Sequence, residues 1–299
     1  MYKFNNTYHI MLLFINSVEK QCGIYQYGIR LFNQLNRPDI FEYAEIGSQN
    51  DLINRLNTKK YDACILNFHS ALFGWWNQPI KTFYIYHENG LQIDVKYILN
   101  TDPNCALGLG IPRPLYQGII TQRKSDGLTF GSFGFGFENK GFERIITTVQ
   151  YQYDNATIKL LIPFAHFGDE HGEQARRIGD KCRSLITKSG IKLEIRHDFL
   201  PDTELVNFLA SNDMNIFLYD YMPGRGCSSV IDYALAANKP IAISNSLMFR
   251  HIYSDAICAY KRPLKDILSD GNKHILPFLN KWNPTTLQET ILKRVNDTN

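Results

Sequence analysis

Short apolar runs alternate along this chain with segments whose apolar residues recur at helical spacing. In the first part, the runs that predict buried strands are residues 9–17, 41–46, 63–68 and 82–86. Apolar residues recur every three or four positions from Gly23 to Leu35, which predicts a helix, and a shorter helix is predicted over residues 51–56. Strands that alternate with helices are typical of a parallel sheet whose strands are joined by crossover helices.

The same pattern restarts after a polar, irregular stretch at residues 117–127, which follows the proline-containing segment IPRPL at residues 111–115. We therefore predict a domain boundary near residue 122, with one domain over residues 1–122 and another over residues 123–299. The strands predicted in the second part are residues 128–131, 158–163, 192–196, 214–219 and 240–244. The helices predicted there are 142–153, one running from beyond Gly168 through Ile186, one capped by Asp202, and 228–237. The pattern predicts an α/β fold with two such units in tandem.

Composition narrows the class of protein. The 299 residues are 44% hydrophobic, and Lys plus Arg exceed Asp plus Glu by 32 to 29, far from the concentrated charge of a dedicated nucleic-acid binder. No apolar stretch approaches the roughly 20 residues of a membrane span, and no export signal is evident. The six cysteines form no CxxC pair, which disfavours a zinc knuckle. We predict a cytoplasmic protein with reduced thiols.

A glycine-rich segment follows the first predicted strand of the second part. It reads GSFGFGFENKGF from Gly131 to Phe142, and it includes Ser132, Gly134 and Lys140. Glycines allow the backbone to approach a ligand closely, and the lysine ammonium suits a phosphate. The spacing differs from the dinucleotide fingerprint GxGxxG. An ordinary tight turn before a helix is the alternative.

A second candidate loop, YDYMPGRGCSSVID, runs from Tyr219 to Asp232. It turns over residues 223–226, passes Gly226 and Cys227, and starts a helix with Ser228 and Ser229 in its first turn. Backbone N–H groups and hydroxyls at such a place are suited to a pyrophosphate, and Asp232 could accept hydrogen bonds from a ribose. The alternative is again a capped helix behind a tight turn.

Several segments resemble one known family. GSFGFGFENKGFERII, HDFLPDTELVNFLASNDMNIFLYD and SSVIDYALAANKPIAIS resemble the donor-binding domain of GT-B glycosyltransferases of the retaining, glycogen-synthase-like family four. In the first part, CGIYQYGIRLFNQL resembles that family's first glycine loop and helix, and FYIYHENG resembles its strand ending in a histidine of the catalytic region. The resemblance implies two Rossmann-like domains facing a central cleft. In this fold class a last helix, such as the one predicted after Pro284, often crosses back to the first domain.

The resemblance also implies roles for individual residues. Gly23 would lie beside the donor phosphates or sugar, His87 would contact the transferred sugar, and Lys140 would neutralise the diphosphate. Phe199 and Leu200 would lie by the nucleotide base, largely through backbone contacts. The predicted catalytic residues are His87, Lys140 and Asp220. The predicted donor-binding residues are Gly23, Gly131, Ser132, Gly134, Phe199, Leu200, Arg225, Gly226, Cys227, Ser228, Ser229 and Asp232.

Two departures from the family pattern bear on catalysis. The family has two glutamates separated by seven residues; Asp232 matches the second, and the first falls on Gly224. Asp220 is the candidate replacement. The arginine that usually follows the first glycine of this domain is Ser132 here, and Arg225 is the candidate replacement for its charge.

We therefore expect a hexosyl- or pentosyltransferase that takes its sugar from a nucleoside-diphosphate donor and passes it to a glycan, a lipid-linked or a small-molecule acceptor. Neither a cofactor nor a metal is expected, because the sequence has no Asp-x-Asp pair and HFGDEHGE at residues 166–173 is better interpreted as a helix start. Retention at the anomeric carbon is implied by the resemblance alone. A catalytically silent relative that binds a nucleotide sugar or a partner protein is the first alternative.

A glycosyltransferase acting on modified DNA bases is the second alternative. A nucleic-acid acceptor would need basic residues gathered on one face. The candidates are Arg113, Arg123, Lys124, Lys59 and Lys60.

Overall fold

A computed structural model describes residues 10–88, 93–121, 127–165 and 167–298. The chain divides into two compact units, one made of Met1–Pro114 with Pro284–Asn299 and the other of Leu115–Asn283. Each contains a five-stranded parallel sheet, as the alternating pattern predicted. Among the described residues, no helix has the length and apolar character to cross a membrane.

The first unit begins with a strand that is buried along its whole length. Its strands are β1 (Leu12–Asn16), β2 (Phe41–Glu45), β3 (Ala63–Phe68), β4 (Thr82–Tyr86) and β5 (Ile98–Asn100). Its helices are α1 (Gly23–Leu35), α2 (Gln49–Thr58) and, from the C-terminal segment, α9 (Pro284–Asp297). The strand order is β2-β1-β3-β4-β5.

Alternation along the strands gives this sheet two apolar faces. Phe14, Ile65 and Ile85 face α1 and α9, and Leu13 and Leu66 belong to the cluster on the other face, where α2 contributes its buried leucine. Helix α9 packs against α1 through buried residues that recur at helical spacing, namely Leu287, Ile291 and Val295. A C-terminal helix is thus part of the core of the first unit.

The second unit repeats the design with a different strand order. Its strands are β6 (Thr129–Phe133), β7 (Ala156–Leu161), β8 (Ile191–Arg196), β9 (Met214–Phe217) and β10 (Ile241–Ile243), in the order β10-β9-β6-β7-β8. Its helices are α3 (Phe142–Gln152), α4 (Glu173–Ser184), α5 (Asp202–Ala210), α6 (Val230–Ala236), α7 (Leu264–Ser269) and α8 (Leu276–Lys281). Two apolar clusters, one on each face, bury this sheet between its helices.

Strand β6 ends at Phe133, two residues after its predicted end at Gly131. A Cβ at position 131 would lie 1.9 Å from Asn212 Nδ2 and 2.8 Å from Asn215 Oδ1, so the glycine lets these buried amides approach the strand. Gly131 and Ser132 are therefore inside β6, and the loop begins at Gly134. The strand was predicted to end at Gly131, and this end was two residues too early because a packing glycine was interpreted as the start of a turn.

Helix α5 begins at Asp202 and not after it. Pro201 occupies the cap position, and the Asp202 carboxylate accepts a hydrogen bond of 2.8 Å from the Tyr233 hydroxyl. Helix α6 likewise begins at Val230, two residues later than predicted. These two helices were predicted at the right places in the chain, but their first residues were not.

The packing of Gly131 leads to a stability prediction. Gly131→Ala should lower the free energy of unfolding by about 1–3 kcal/mol, because the added methyl would overlap buried side-chain amides. Gly179→Ala is the matched control, since position 179 lies inside α4 and its nearest neighbour, His197 Cε1, is 3.5 Å from an added Cβ. That change should instead stabilise by up to about 1 kcal/mol.

Urea unfolding of the two variants and the wild type measures both effects. A loss of stability shared equally by the two variants would contradict this account of Gly131.

Candidate functional site

Both sheets have a place where the chain reverses its direction of progress across the sheet. In the second unit it moves outward from β6 to β8 and then returns to β9 on the other side of β6. The carboxyl ends of β6 and β9 therefore flank a crevice, and open α/β sheets bind ligands at such a point. The loops that follow these two strands contain most of the sequence-predicted site residues.

The two loops contact each other directly. The Asp220 backbone N–H donates to Asn139 O at 2.9 Å, and Asn139 Nδ2 donates to Met222 Sδ at the same distance. Lys140 Nζ lies 4.1 Å from the centre of the Tyr219 ring. Gly134 is next to both, since a Cβ there would be 3.0 Å from Tyr219 Oη. Segments predicted separately from the sequence thus form one continuous surface.

The chain leaving β9 is held by side chains. Arg144 donates from Nε and Nη2 to Leu218 O at 3.0 and 2.6 Å, and its Nη2 lies 2.7 Å from Asp220 Oδ1. Ser244 and Ser246 donate from their hydroxyls to the carbonyls of residues 219 and 220, each at 2.7 Å. The carboxylate of Asp220 is therefore ion-paired with Arg144. Arg144 was not among the residues predicted from the sequence, although it is a basic residue in the first turn of a helix directly after a glycine-rich loop.

Lys140 is a partly buried cation with another cation near it. Burial lowers the pKa of its ammonium, the positive charge of Arg225 acts in the same direction, and the resulting pKa is about 8. No carboxylate of the described residues lies within ion-pair distance of Lys140. A bound anion would relieve both the burial of the charge and the repulsion between the two cations.

The remaining residues of the second loop differ in their access to a ligand. Arg225 is exposed, and Gly226, Cys227 and Ser229 are half-buried. Ser228 is buried, and its backbone N–H donates to Met248 O at 2.9 Å. Asp232 has 0% of its surface exposed, so a ribose hydroxyl would reach its carboxylate only after neighbouring side chains moved.

An aromatic cluster lies at the carboxyl ends of β6, β7 and β8. Phe199, which is 37% exposed, stacks on Phe135 with ring centres 6.4 Å apart. The exposed Phe167 meets Phe135 edge-on at 5.4 Å and Phe137 at 5.9 Å. Leu200, by contrast, is buried in the core. Phe135 and Phe137 were not among the predicted site residues, although their alternation with glycines was the signal.

In the first unit, His87 follows the carboxyl end of β4. Its Nε2 lies 2.7 Å from Asn67 Oδ1, and its ring meets the Tyr27 ring edge-on at 5.0 Å. Burial lowers the pKa of this imidazole to about 3, and the charges of Arg113 and His69 act in the same direction. His87 is therefore neutral at physiological pH. Gly23 is the first residue of α1, on the segment that follows β1.

Two further sets of residues were considered from the sequence: the basic candidates for contact with a nucleic acid, and the segment 166–173. Arg113 is only 1% exposed and stacks on Tyr27, so it cannot contact a nucleic acid, and Lys59 is paired with Glu42 at 2.6 Å. Arg123 and Lys124 lie outside the described residues.

In the segment 166–173, Asp169 accepts hydrogen bonds from the backbone N–H groups of residues 174 and 175 at the start of α4, which agrees with the helix-start interpretation. His166 lies outside the described residues. No group of three or more His, Cys, Asp or Glu side chains suited to a metal occurs in the described ranges.

Known proteins match this chain in structure, whereas the comparisons of sequence found no match. No protein-family model matches the chain. No curated protein matches its sequence either.

Solved structures match over almost the whole chain. Alr3699/HepE from Anabaena, in complex with UDP and glucose, superposes with a TM-score of 0.62 at 11% identity, covering 97% of this chain and 100% of that one. AviGT4, a glycosyltransferase involved in avilamycin A biosynthesis, has a TM-score of 0.59 at 14% identity and covers 95% and 96%. The lipopolysaccharide outer core galactosyltransferase WaaB has a TM-score of 0.56 at 9% identity and covers 97% and 100%. The chain has the GT-B fold of these glycosyltransferases, as its resemblance to that class predicted.

Proposed function

We propose that this protein is a glycosyltransferase that takes a hexose or a pentose from a nucleoside-diphosphate sugar. The observation that carries the proposal is the pair of cations at the crevice between β6 and β9. Lys140 is partly buried and lacks a carboxylate within ion-pair distance among the described residues, and Arg225 is close enough to lower its pKa further. A diphosphate is the ligand that such a pair at a switch point suits best.

The same cations would act on the reaction itself. When the bond from the anomeric carbon to the diphosphate breaks, negative charge grows on the leaving phosphate oxygen. Lys140 and Arg225 would stabilise that charge where it develops, in a place already shaped for it. We propose that this makes a metal ion unnecessary, and that the configuration at the anomeric carbon is retained, as the family resemblance implies.

We propose places for the base and the sugar of the donor from the residues around the two loops and at the end of β4. The half-exposed ring of Phe199, stacked on Phe135, offers an aromatic face beside the loops for the nucleotide base. His87, neutral and at the carboxyl end of β4, is proposed to accept a hydrogen bond from a hydroxyl of the transferred sugar. The acceptor is proposed to be a glycan, a lipid-linked or a small molecule.

The solved structures support the donor class. HepE was crystallised with UDP and glucose, and AviGT4 and WaaB are a glycosyltransferase and a galactosyltransferase. Their low identity to this chain leaves the base and the sugar to experiment.

One observation favours a second candidate, a protein that binds a nucleotide sugar without turning it over. Gly224 stands where the family has its first glutamate, and its backbone has φ of +80°, a conformation that glycine adopts without strain. The loop is thus shaped around a glycine at this place. Asp220, the candidate replacement acid, is engaged by Arg144.

Nucleotide binding is the first test of the proposal. One of UDP, GDP, ADP and TDP, at about 100 times its dissociation constant, should add about 2.7 kcal/mol to stability and raise the melting temperature. Lys140→Met should remove most of this shift. Lys261→Met is the matched control, because Lys261 is an exposed lysine of the same unit, outside both loops, and it should keep the shift. An equal response from the two variants would overturn the role of Lys140.

The affinity should also depend on pH in one direction. Lys140 loses its charge as pH rises through about 8, so the dissociation constant of the nucleotide should rise by up to about tenfold per pH unit above 8. The empty protein should show the opposite sign, because the lowered pKa means that the folded chain releases this proton before the unfolded chain does. Wild type should therefore gain stability relative to Lys140→Met as pH rises through 8. Titration calorimetry and thermal melts at pH 7, 8 and 9 measure both trends.

Turnover separates the two candidates. With the donor that stabilises the protein, hydrolysis or transfer of the sugar should be detectable and should be lost in Lys140→Met. Tight binding with no release of nucleoside diphosphate, across glycan, lipid-linked and small-molecule acceptors, would favour the silent relative.

A further inference from the structure

Two buried asparagines lie beneath His87. Asn16 ends β1 and Asn67 lies near the end of β3, and both are 0% exposed. Asn16 Nδ2 donates to Tyr25 O at 3.0 Å, and Asn67 Nδ2 donates to Ile24 O at 2.7 Å. A backbone carbonyl can only accept a hydrogen bond, so the amide nitrogen, and not the oxygen, of each asparagine must face the first turn of α1.

The orientation of these amides fixes the next contact. The second hydrogen of Asn67 Nδ2 goes to Asn16 Oδ1 at 2.9 Å, which leaves Asn67 Oδ1 facing His87 Nε2 at 2.7 Å. Because an amide oxygen can only accept, Nε2 of His87 must carry the proton. His87 Nδ1 has no hydrogen-bond partner in the described segments, and in this tautomer it is an acceptor.

Gly28 allows this arrangement to form. A Cβ at position 28 would lie 2.4 Å from Asn67 Nδ2 and 2.7 Å from Asn16 Oδ1. Only a glycine there lets α1 come close enough for its first-turn carbonyls to reach both asparagines. The glycine acts through packing alone, since it has no polar side chain.

The charged and titratable groups around His87 work against its protonation. The Arg113 guanidinium lies 4.7 Å from the Tyr27 ring that His87 touches, and its Nη1 donates to Thr101 O at 2.8 Å. His69 lies 3.6 Å from Glu88 and adds repulsion if protonated. The lowered pKa of His87 agrees with a neutral ring.

We propose that Asn67, itself oriented by Asn16 and by the close approach of α1 at Gly28, is a positioning residue that holds His87 in the Nε2–H tautomer. The Nδ1 atom of His87 is then always ready to accept a hydrogen bond from a hydroxyl of the bound sugar. The consequence for the sugar rests on the proposed function, whereas the tautomer does not.

Nitrogen NMR of histidine-labelled protein tests the tautomer directly. Two-bond and three-bond couplings to the ring carbons' protons distinguish Nε2–H, Nδ1–H and the imidazolium, and the spectrum of His87→Gln identifies the resonances of His87 among the eight histidines. Wild type should show a single Nε2–H form from pH 5.5 to 8.5. An Nδ1–H form, or an imidazolium at pH 6, would overturn the proposal without any variant of Asn67.

Two variants test the positioning role in opposite directions. Asn67→Leu removes the acceptor, so His87 should become a mixture of both neutral tautomers. Asn67→Asp keeps the shape but places a carboxylate at Nε2, so His87 should begin to titrate above pH 5.5. Asn77→Leu, at an exposed asparagine of the same unit, should leave the spectrum of His87 unchanged. An unchanged His87 spectrum in folded Asn67→Leu and Asn67→Asp would sink the role of Asn67.

Kinetics adds the functional consequence. If the protein transfers sugar, kcat/KM in Asn67→Leu should fall about tenfold, the worth of one hydrogen bond, and Asn67→Asp should gain an acidic limb in its pH profile that wild type lacks. Transfer that is unaffected by either variant would remove the link to the sugar. If wild type shows no transfer at all, the proposed function fails while the NMR result still decides the role of Asn67.

Discussion

The candidate site depends on how the chain leaves β9. Once a strand ends, its carbonyls lose the partners that the sheet provided, and buried polar groups must find others. Here three consecutive carbonyls, at residues 218, 219 and 220, are taken by Arg144, Ser244 and Ser246. This holds Tyr219 in place, and the ring of Tyr219 in turn supports the ammonium of Lys140. The position of the Lys140 ammonium therefore depends on the hydrogen bonds that hold the backbone of residues 218–220.

The charges in the same region are electrostatically unfavourable. A partly buried ammonium close to a guanidinium is disfavoured by desolvation and by repulsion. His87, in the first unit, is neutral, because burial and neighbouring positive charge disfavour its protonation.

More of the fold than of the candidate site could be predicted from the sequence. Strands β3 and β4 and the start of α1 were predicted to the residue from their runs of apolar residues, whereas β5 was missed. The two loops that meet at the crevice were also identified. Arg144 and Asn67 were not, because each is a single polar residue whose partners are remote in sequence; Asn67 binds a residue 51 positions away. Neither the hydrophobic pattern nor the family resemblance shows which residues remote in sequence are in contact. The packing role of Gly131 was not predicted for the same reason.

The division of the chain into units has a consequence for its synthesis. The second unit is one continuous segment inserted into the first, and α9, which completes the apolar face formed with Leu31 and Leu35, is translated after that whole insertion. On the ribosome the second unit can acquire its complete core while the first still lacks a helix. The apolar face that α9 covers in the folded protein therefore stays exposed until the last helix has been translated, and transiently exposed apolar surface of this kind is prone to aggregation.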